Sequence, residues 1–469
     1  MSSYKVFFKE VRDPLYGYIH LTPLEARLID TKIFQRLGRL LQNPGTSFVY
    51  PNATHTRKAH SLGVMHLAGI AIKKLLMRQC SKLKQGGLLF REPVTLKVNK
   101  QGEIDEEEGL DDLASIKCDW WDGNIEKDPD FIIEVVRVAA LMHDLGHGPF
   151  SHIFEDAVRE KCDPNFSHEH MSVKLLENIK SYVTHEIEWN KKEENIVEYA
   201  SYILKKDKNK VPQFLIDLID GPVDVDKLDY VNRDAYHAGP LEYGLIDYER
   251  VLDGFRVSGK KLVYSASSIG AIARVFDSLE YMYSNLYYHK TARAADLQIF
   301  EALKESKNLL KQIINDMNEY IKWTDELLLR EIEAQGSQAA IILVEELLAR
   351  QLKYKKKAEK IVGFTYLQAP YIDVGKKIED LETKFNDVGA RVDTFMVKPM
   401  RLDLERLLNW LKGDNLISDG QLKNIAAVDR TLSDRINNFK LVVRLYVNRK
   451  KYADPRTEKA AQEFKETFR

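Results

Sequence analysis

The sequence predicts a mainly α-helical protein that ends in a smaller mixed α+β part. Three observations predict it. Apolar residues recur at helical period over long stretches, as in the stripe of His60, Val64, Leu67 and Leu75 between Thr54 and Met77. Pro, Gly and Asn punctuate those stretches as starts and stops. Runs rich in β-branched and aromatic residues gather after residue 355.

The first 50 residues read as a lead-in strand, a turn at Asp13-Pro14 and a helix with Thr22 as N-cap and Pro23 in its first turn. A second helix is expected from Thr31 to Gln42, where Asn43-Pro44-Gly45 ends it. The long helix of Thr54 to Met77 follows. Residues 79–130 change texture. They hold Gln85-Gly86-Gly87, a hairpin candidate turning at Lys100-Gln101-Gly102, and seven acidic residues in the ten from Glu103 to Asp112. This stretch reads as a surface insertion whose acidic run is a solvated loop. Helical pattern resumes from Phe131 to Asp217, broken at Gly146 to Pro149. It continues at Pro222 to Ala235, Ile269 to Glu333 and Gln338 to Tyr354. The β-like runs are Ile361 to Tyr366, Thr394 to Val397 and Leu441 to Val447, mixed with helices at Asp403 to Lys412 and Thr457 to Phe468. The expected division is a helical unit over 1–355, with 79–130 inserted, and an α+β subdomain over 356–469.

Composition bounds the function. Of 469 residues, 70 are Lys or Arg and 71 are Asp or Glu, giving a formal net charge of -1. That balance excludes a protein that coats DNA or membranes with its whole surface, while leaving room for a local basic pocket. The 44% hydrophobic content is that of a globular chain. Cys80, Cys118 and Cys162 are too scattered for a disulfide framework or a zinc knuckle, which suits a reduced, cytoplasmic compartment. No apolar run is long enough to span a bilayer, and the charged N-terminus does not read as a signal peptide.

The chemistry is concentrated in histidines beside aspartates. The chain has 12 His, and five of them lie between His143 and His170. An apolar helix runs directly into His143-Asp144, and small residues follow, where backbone must approach something closely. His60 stands upstream and Asp226 downstream. Two imidazoles and two carboxylates suit a divalent first-row metal such as Mn, Fe, Co, Ni or Zn, with positions left for water and substrate. Buried carboxylates in apolar helices call for a cation nearby.

His60…His143-Asp144…Asp226 resembles the H…HD…D signature of the HD phosphohydrolases. Asp13-Pro14, Ile29 to Leu37, His55 to Val64, His143 to His152 and Asp224 to Tyr230 resemble the deoxynucleoside triphosphate triphosphohydrolases within that superfamily. The subgroup most like this chain carries a SAM domain before its HD domain, and no such domain is read here. The resemblance covers residues 5 to 355 without the insertion, and implies an HD-domain helical fold.

Carried over residue by residue, it implies His60, His143, Asp144 and Asp226 as ligands of Mn, Mg, Fe, Co, Ni or Zn. Arg57 resembles the arginine on the phosphate nearest the sugar. His147, His152 and His168 resemble the histidines around the phosphates, with Glu155 assisting His152 where relatives have Asp. His168, rather than His170, resembles the residue that protonates the leaving oxygen. Lys227, Tyr230 and Asp234 resemble residues that hold triphosphate and sugar, Tyr287 the tyrosine beneath the deoxyribose, and Gln42 the contact to the 3′-hydroxyl. Asp226, Tyr230 and Asp234 stand at i, i+4 and i+8, on one helical face. Asp30 and Gln35 match the subgroup's allosteric nucleotide site.

Departures accompany the match. Leu279 occupies the place of an arginine on the terminal phosphate, for which Arg293 or Lys290 could substitute. Asn43 replaces an apolar residue against the sugar. Gly38 replaces a basic residue of the allosteric site. The expected activity is metal-dependent cleavage of a dNTP to deoxynucleoside and inorganic triphosphate, by a homo-oligomer (dimer or tetramer) that an activating nucleotide could assemble. The alternatives are an HD phosphohydrolase acting on nucleotide mono- or diphosphates or on single-stranded nucleic acid, and a nucleotide sensor without turnover. The nuclease reading rests only on short basic runs such as Lys353 to Lys357 and is not favoured.

Overall fold

The computed structural model describes residues 9–79, 129–182, 189–365, 374–397, 413, 416–418, 421–430, 432–433 and 438–468. The predicted hairpin at 94–102, the acidic run at 103–112 and the predicted helix at 403–412 lie outside them.

The chain opens on an antiparallel hairpin, β1 (Lys9–Asp13) and β2 (Gly17–Leu21). Asp13 Oδ1 accepts the amides of Leu15 and Tyr16 at 2.9 and 3.2 Å, which sets the turn. Helix α1 (Pro23–Ile29) starts with a capping box. Thr22 accepts the Glu25 amide, and the Glu25 carboxylate accepts the Thr22 amide at 2.9 Å. Helix α2 (Lys32–Arg36) stops well short of the expected Gln42. The chain tightens into a 3₁₀ turn over Leu37–Arg39 and then extends, so that Leu41 bridges Thr56. Helix α3 (Arg57–Gln79) therefore begins at Arg57 rather than Thr54.

Helix α4 (Pro129–Met142) is buried along almost its whole length and packs on α3. Its two buried charged residues survive burial because both are hydrogen-bonded. Thr22 Oγ1 donates to Glu134 at 2.7 Å, and Arg137 forks onto Glu25 at 2.7 and 2.8 Å. Leu67, Leu75, Val135, Val138 and Leu141 lose all their exposed surface here, which is worth about 1.5–3 kcal/mol for each large side chain. The body continues through α5 (His152–Lys161), α6 (His168–Glu177), α7 (Lys191–Leu204), α8 (Gln213–Ile219), α9 (Val225–Ala238), α10 (Leu241–Gly244) and α11 (Tyr248–Gly254). A hairpin of β3 (Phe255–Ser258) and β4 (Lys261–Ser265), not anticipated from the sequence, comes next.

The expected long helices after Ile269 are segmented: α12 (Ile269–Met282), a π turn over Tyr283–Tyr287, α13 (Lys290–Lys304), α14 (Lys307–Asn315), α15 (Met317–Tyr320), α16 (Asp325–Gln335) and α17 (Gln338–Leu348). The tail contributes β5 (Tyr354–Thr365), α18 (Val374–Lys384), β6 (Arg391–Val397), β7 (Leu416–Ser418), β8 (Gln421–Lys423), β9 (Asn438–Asn448) and α19 (Pro455–Thr467). β9 lies between β5 and β6, antiparallel to both, and β7 pairs in parallel with β4 of the body. A small apolar cluster of Leu381, Phe385, Val388, Val443, Leu445 and Phe464 fills the space between sheet and helices. Leu416, Ile425, Val442 and Tyr446 join the main core instead, so the tail is packed onto the body. The fold is thus mainly helical with small sheets, as expected.

Candidate active site

Four segments converge. The start of α3 supplies Arg57 and His60, and the turn after α4 supplies His143 and Asp144. The first turns of α5 and α6 supply His152, Glu155 and His168. One face of α9 supplies Asp226, Tyr230 and Asp234.

His60 Nε2 lies 2.9 Å from Asp226 and 3.8 Å from Asp144, while His143 Nε2 lies 3.3 Å from Asp144 and 3.7 Å from Asp226. His60, His143 and Asp226 each offer a donor atom within 4.8 Å of the others. The nitrogens are oriented from behind. Ala140 O accepts from His143 Nδ1 at 2.7 Å, which leaves the Nε2 lone pair facing inward. That Nε2 is buried and makes no hydrogen bond among the described residues. A buried lone pair without a partner is costly, and a cation is the partner that this donor set fits.

His60 Nδ1 is held by Asp229 at 2.8 Å; Arg233 forks onto Asp229 at 2.9 Å twice and reaches Asp13 at 2.8 Å. Gly63 makes room for this chain, since a Cβ there would stand 1.9 Å from the Asp229 carboxylate. Burial opposes charge on His60, but Asp226 and Asp229 outweigh it and lift its pKa to about 10. Burial raises Asp229, and Arg233 and His60 bring it down to about 2. Asp144 and Asp226 are both held below the carboxylate range. Burial opposes this in each case. His143 and Arg57 prevail at Asp144, and His143 and His60 at Asp226. The carboxylates are anionic and ready to ligate.

Beside the metal-type set lies a wall made of Arg57 and three histidines. Arg57 donates to Asp144 at 2.5 Å and to Ser151 Oγ at 2.7 Å. His147 Nε2 is 3.3 Å from the other oxygen of Asp144. Burial, then Arg57 and His168, push His147 well below the usual histidine range, so it is neutral near pH 7. His168 Nδ1 bonds Glu155 at 2.6 Å, and His152 Nδ1 stands 3.6 Å from the same oxygen. Burial raises Glu155, and the bonds from His152 and His168 overcome it and hold the group ionised. His147, His152 and His168 also bring three nitrogens within 4.8 Å of one another. The His147 and His168 rings stack at 3.9 Å and 16°, however, so their lone pairs lie in two separate, nearly parallel planes rather than converging on one ion as metal ligation requires. Asp226 and His152, 31% and 39% exposed, mark the open side.

The turn that carries these groups is fastened along its backbone. Arg36 donates to Leu145 O and His147 O at 3.0 and 2.7 Å, and Tyr320 donates to Gly146 O at 2.7 Å. Ser172 Oγ accepts the Gly146 amide and donates to His143 O. A Cβ at Gly146 would meet α6 backbone at 2.2 Å, which is the close approach expected after His143-Asp144. Phe150 and Ser151 have φ of 57° and 54°, a strained conformation worth about 1–3 kcal/mol each.

Farther along α9, Asp234 accepts from Tyr287 at 2.6 Å and pairs with His55 Nε2 at 2.6 Å. Tyr230 lies between, 6.4 Å from His60 and 6.2 Å from Tyr287 by ring centres. Gln42 joins through its backbone, donating to His55 O at 3.0 Å. The π turn that presents Tyr287 is a local widening that no helical-period argument reveals.

The HD-domain family profile matches residues 115–220, the span that holds His143, Asp144, His147, His152, Glu155 and His168. The deoxynucleoside triphosphate triphosphohydrolase SAMHD1 homolog of Dictyostelium discoideum is 29% identical over 329 residues, 69% of this chain and 54% of that protein. The chain carries an HD domain. SAMHD1 of Gallus gallus is likewise 29% identical to this HD-domain protein, over 68% of this chain and 51% of that one. The chain thus spans about half the length of these curated relatives. Two solved structures share the fold. A hypothetical protein from Aquifex aeolicus has TM-score 0.65 and 24% identity, covering 97% of this chain and 99% of that one. A phosphohydrolase from Bacteroides thetaiotaomicron has TM-score 0.63 and 22% identity, covering 94% and 99%.

Some residues read from the sequence of this HD-domain protein are engaged elsewhere. The Lys227 ammonium is bound by Asp224, the N-cap of α9, and by Gly221 O at 3.0 Å. Arg293 forks onto Asp393 at 3.1 and 2.8 Å and touches Asp296 at 3.2 Å, so it braces β6 rather than standing in for the arginine missing at Leu279. Leu279 itself is fully buried in the core. Asp30 pairs with Lys9 at 3.0 Å and Gln35 with Lys58 at 2.8 Å. Among the described residues, no helix is long and apolar enough to cross a membrane.

His55, Ser151, Asp229, Arg233 and Asp325 shape the site without having stood out in the sequence. His55 and Asp229 lie inside the quoted motifs, and their nearness to His60 and Asp226 was the available signal.

Proposed function

We propose that this protein is a metal-dependent dNTP triphosphohydrolase. The observation that carries this is the shared Asp144. Its carboxylate faces the His60–His143–Asp226 donors and Arg57 at once, with the Asp234–Tyr287 pair two turns along α9. The order of groups suits metal, phosphate and sugar in turn. A divalent cation, when bound, would polarise the phosphoryl oxygen and acidify water.

The chain's own groups do the rest. Arg57, fixed by Asp144 and Ser151, holds the phosphate nearest the sugar and stabilises its growing charge. His147 and His152 line the remaining phosphates. Water adds at the phosphorus attached to the sugar oxygen, and the bond from phosphorus to that oxygen breaks. His168, its Nδ1 bonded to Glu155, gives a proton from Nε2 to the departing oxygen. Tyr287, oriented by Asp234, packs under the deoxyribose, and Gln42 meets the 3′-hydroxyl. Lys227 contributes positive potential from behind Asp226. We assign the residues from 356 onward to assembly of a homo-oligomer, and Asp30 with Gln35 to an activating nucleotide.

The test incubates purified protein and Mn²⁺ or Mg²⁺ with each dNTP, rNTP, dNMP and a single-stranded oligonucleotide, then separates the products. Inorganic triphosphate plus deoxynucleoside is the expected result. Orthophosphate or shortened oligonucleotide would replace this reading with another HD phosphohydrolase activity.

A further inference from the structure

One buried carboxylate ties together the two segments that hold Arg57. Asp325, the first residue of α16, is buried, and its oxygens are divided between distant backbones. Oδ2 accepts the Leu41 amide at 2.8 Å and Oδ1 the Phe150 amide at 2.7 Å. Each segment grips Arg57. On one side, Leu40 O accepts the Arg57 amide at 3.0 Å, and Leu41 bridges Thr56. On the other, Ser151, next to Phe150, accepts from Arg57 Nε at 2.7 Å. The Phe150–Ser151 turn has two successive residues at positive φ, a conformation that persists only where surroundings enforce it. Asp325 is the acceptor that enforces it from outside the turn.

We infer that Asp325 is a positioning residue for substrate binding: it fixes the Arg57 guanidinium by holding the backbone before Arg57 and the turn beneath its side chain in one register. Asp325 touches neither metal-type donor nor substrate and acts through Arg57. The inference rests on the reading of Arg57 as a phosphate ligand. The spacing is demanding because a carboxylate offers two acceptor oxygens, whereas an amide offers one and presents a donor to the other N–H. Burial raises the Asp325 pKa to about 6, against the lowering by the two amides and by Arg57 and Arg36, as expected for a group enclosed among these partners.

The full-length Asp325→Asn variant tests this by three readouts: steady-state hydrolysis of a dNTP, bound metal per chain, and amide hydrogen exchange. The expected result is a KM raised at least tenfold with kcat changed less, metal content unchanged, and faster exchange in both peptides spanning 40–42 and 148–151. Ser151→Ala, which leaves both amide bonds to Asp325 in place, should raise KM in the same direction. Combined with Asp325→Asn it should add less than the product of the two single effects, since both act on Arg57. A KM within twofold of wild type in either variant overturns the inference. So does exchange that rises in one segment only, or loss of kcat in step with lost metal at unchanged KM, which would mark a merely structural group. If Asp325→Asn does not fold, Ser151→Ala decides by the same KM criterion. If the wild type releases no inorganic triphosphate, the functional reading fails, while the exchange readout still judges the two-sided clamp.

Discussion

His60 and Asp229 face each other across the back of the donor set, with Nδ1–H donating to the carboxylate at 2.8 Å. This bond fixes which nitrogen of His60 points toward Asp226 and Asp144, and Arg233 fixes the carboxylate in turn. The orientation of this donor thus depends on a residue outside the donor set. Asp229→Asn keeps the shape and removes the charge. Metal affinity, followed by competition with a chelator, should fall about 10–100-fold, the range usual for outer partners of ligating histidines. Affinity equal to wild type would mean that His60 is oriented by packing alone.

Gly63 provides the space in which Asp229 and Arg233 meet. Gly63→Ala puts a methyl into the carboxylate, and overpacking of this kind costs about 1–3 kcal/mol. The thermal midpoint should drop and metal affinity should drop with it. An unchanged midpoint would show that helix α3 can shift to accept the methyl.

Asp234 takes hydrogen bonds from Tyr287 and His55 on opposite oxygens. Asp234→Ala should leave bound metal intact and reduce kcat/KM for a dNTP by tenfold or more. Discrimination between dNTP and rNTP should change as well, because Tyr287 loses its anchor. Equal kcat/KM ratios for the two substrates before and after would separate Tyr287 from sugar selection.

His66 gives a pH-dependent stability. Burial and then Arg137 lower its pKa to about 4. The unfolded chain, with a pKa of about 6.5, binds more protons between those values, so stability is present above the unfolded pKa and is lost as pH falls toward 4. The contribution is about 3 kcal/mol, since each tenfold loss of proton affinity on folding is worth about 1.4 kcal/mol. Denaturant midpoints measured from pH 7 to pH 4 should fall in wild type and fall less in His66→Gln. Parallel curves would assign the acid sensitivity to other groups.

How much of this was legible in the sequence depended on whether a signal was local. His143-Asp144 at the end of an apolar helix, with small residues after it, carried its own context, as did the α9 face of Asp226, Tyr230 and Asp234. The direction of Lys227 was not legible, because motif position says nothing about where a side chain points. The nearby N-cap Asp224 takes its ammonium, an i,i+3 pairing inside the same turn. Arg293 misled for a tertiary reason, since Asp393 lies 100 residues away on β6. Asp325 was silent because its partners are two backbone amides that leave no mark on sequence pattern. The early end of α2 at Arg36 was equally tertiary. Arg36 is fully buried, and its guanidinium spends its donors on the carbonyls of Leu145 and His147.

The measurement that tests the central claim most directly is hydrolysis of a dNTP in ¹⁸O-labelled water with Mn²⁺, followed by mass spectrometry of the products. Attack at the phosphorus attached to the sugar oxygen places one ¹⁸O in inorganic triphosphate and none in the deoxynucleoside, and Asp144→Ala abolishes both products. Label in orthophosphate, pyrophosphate or the nucleoside, or turnover that survives Asp144→Ala, would contradict the account.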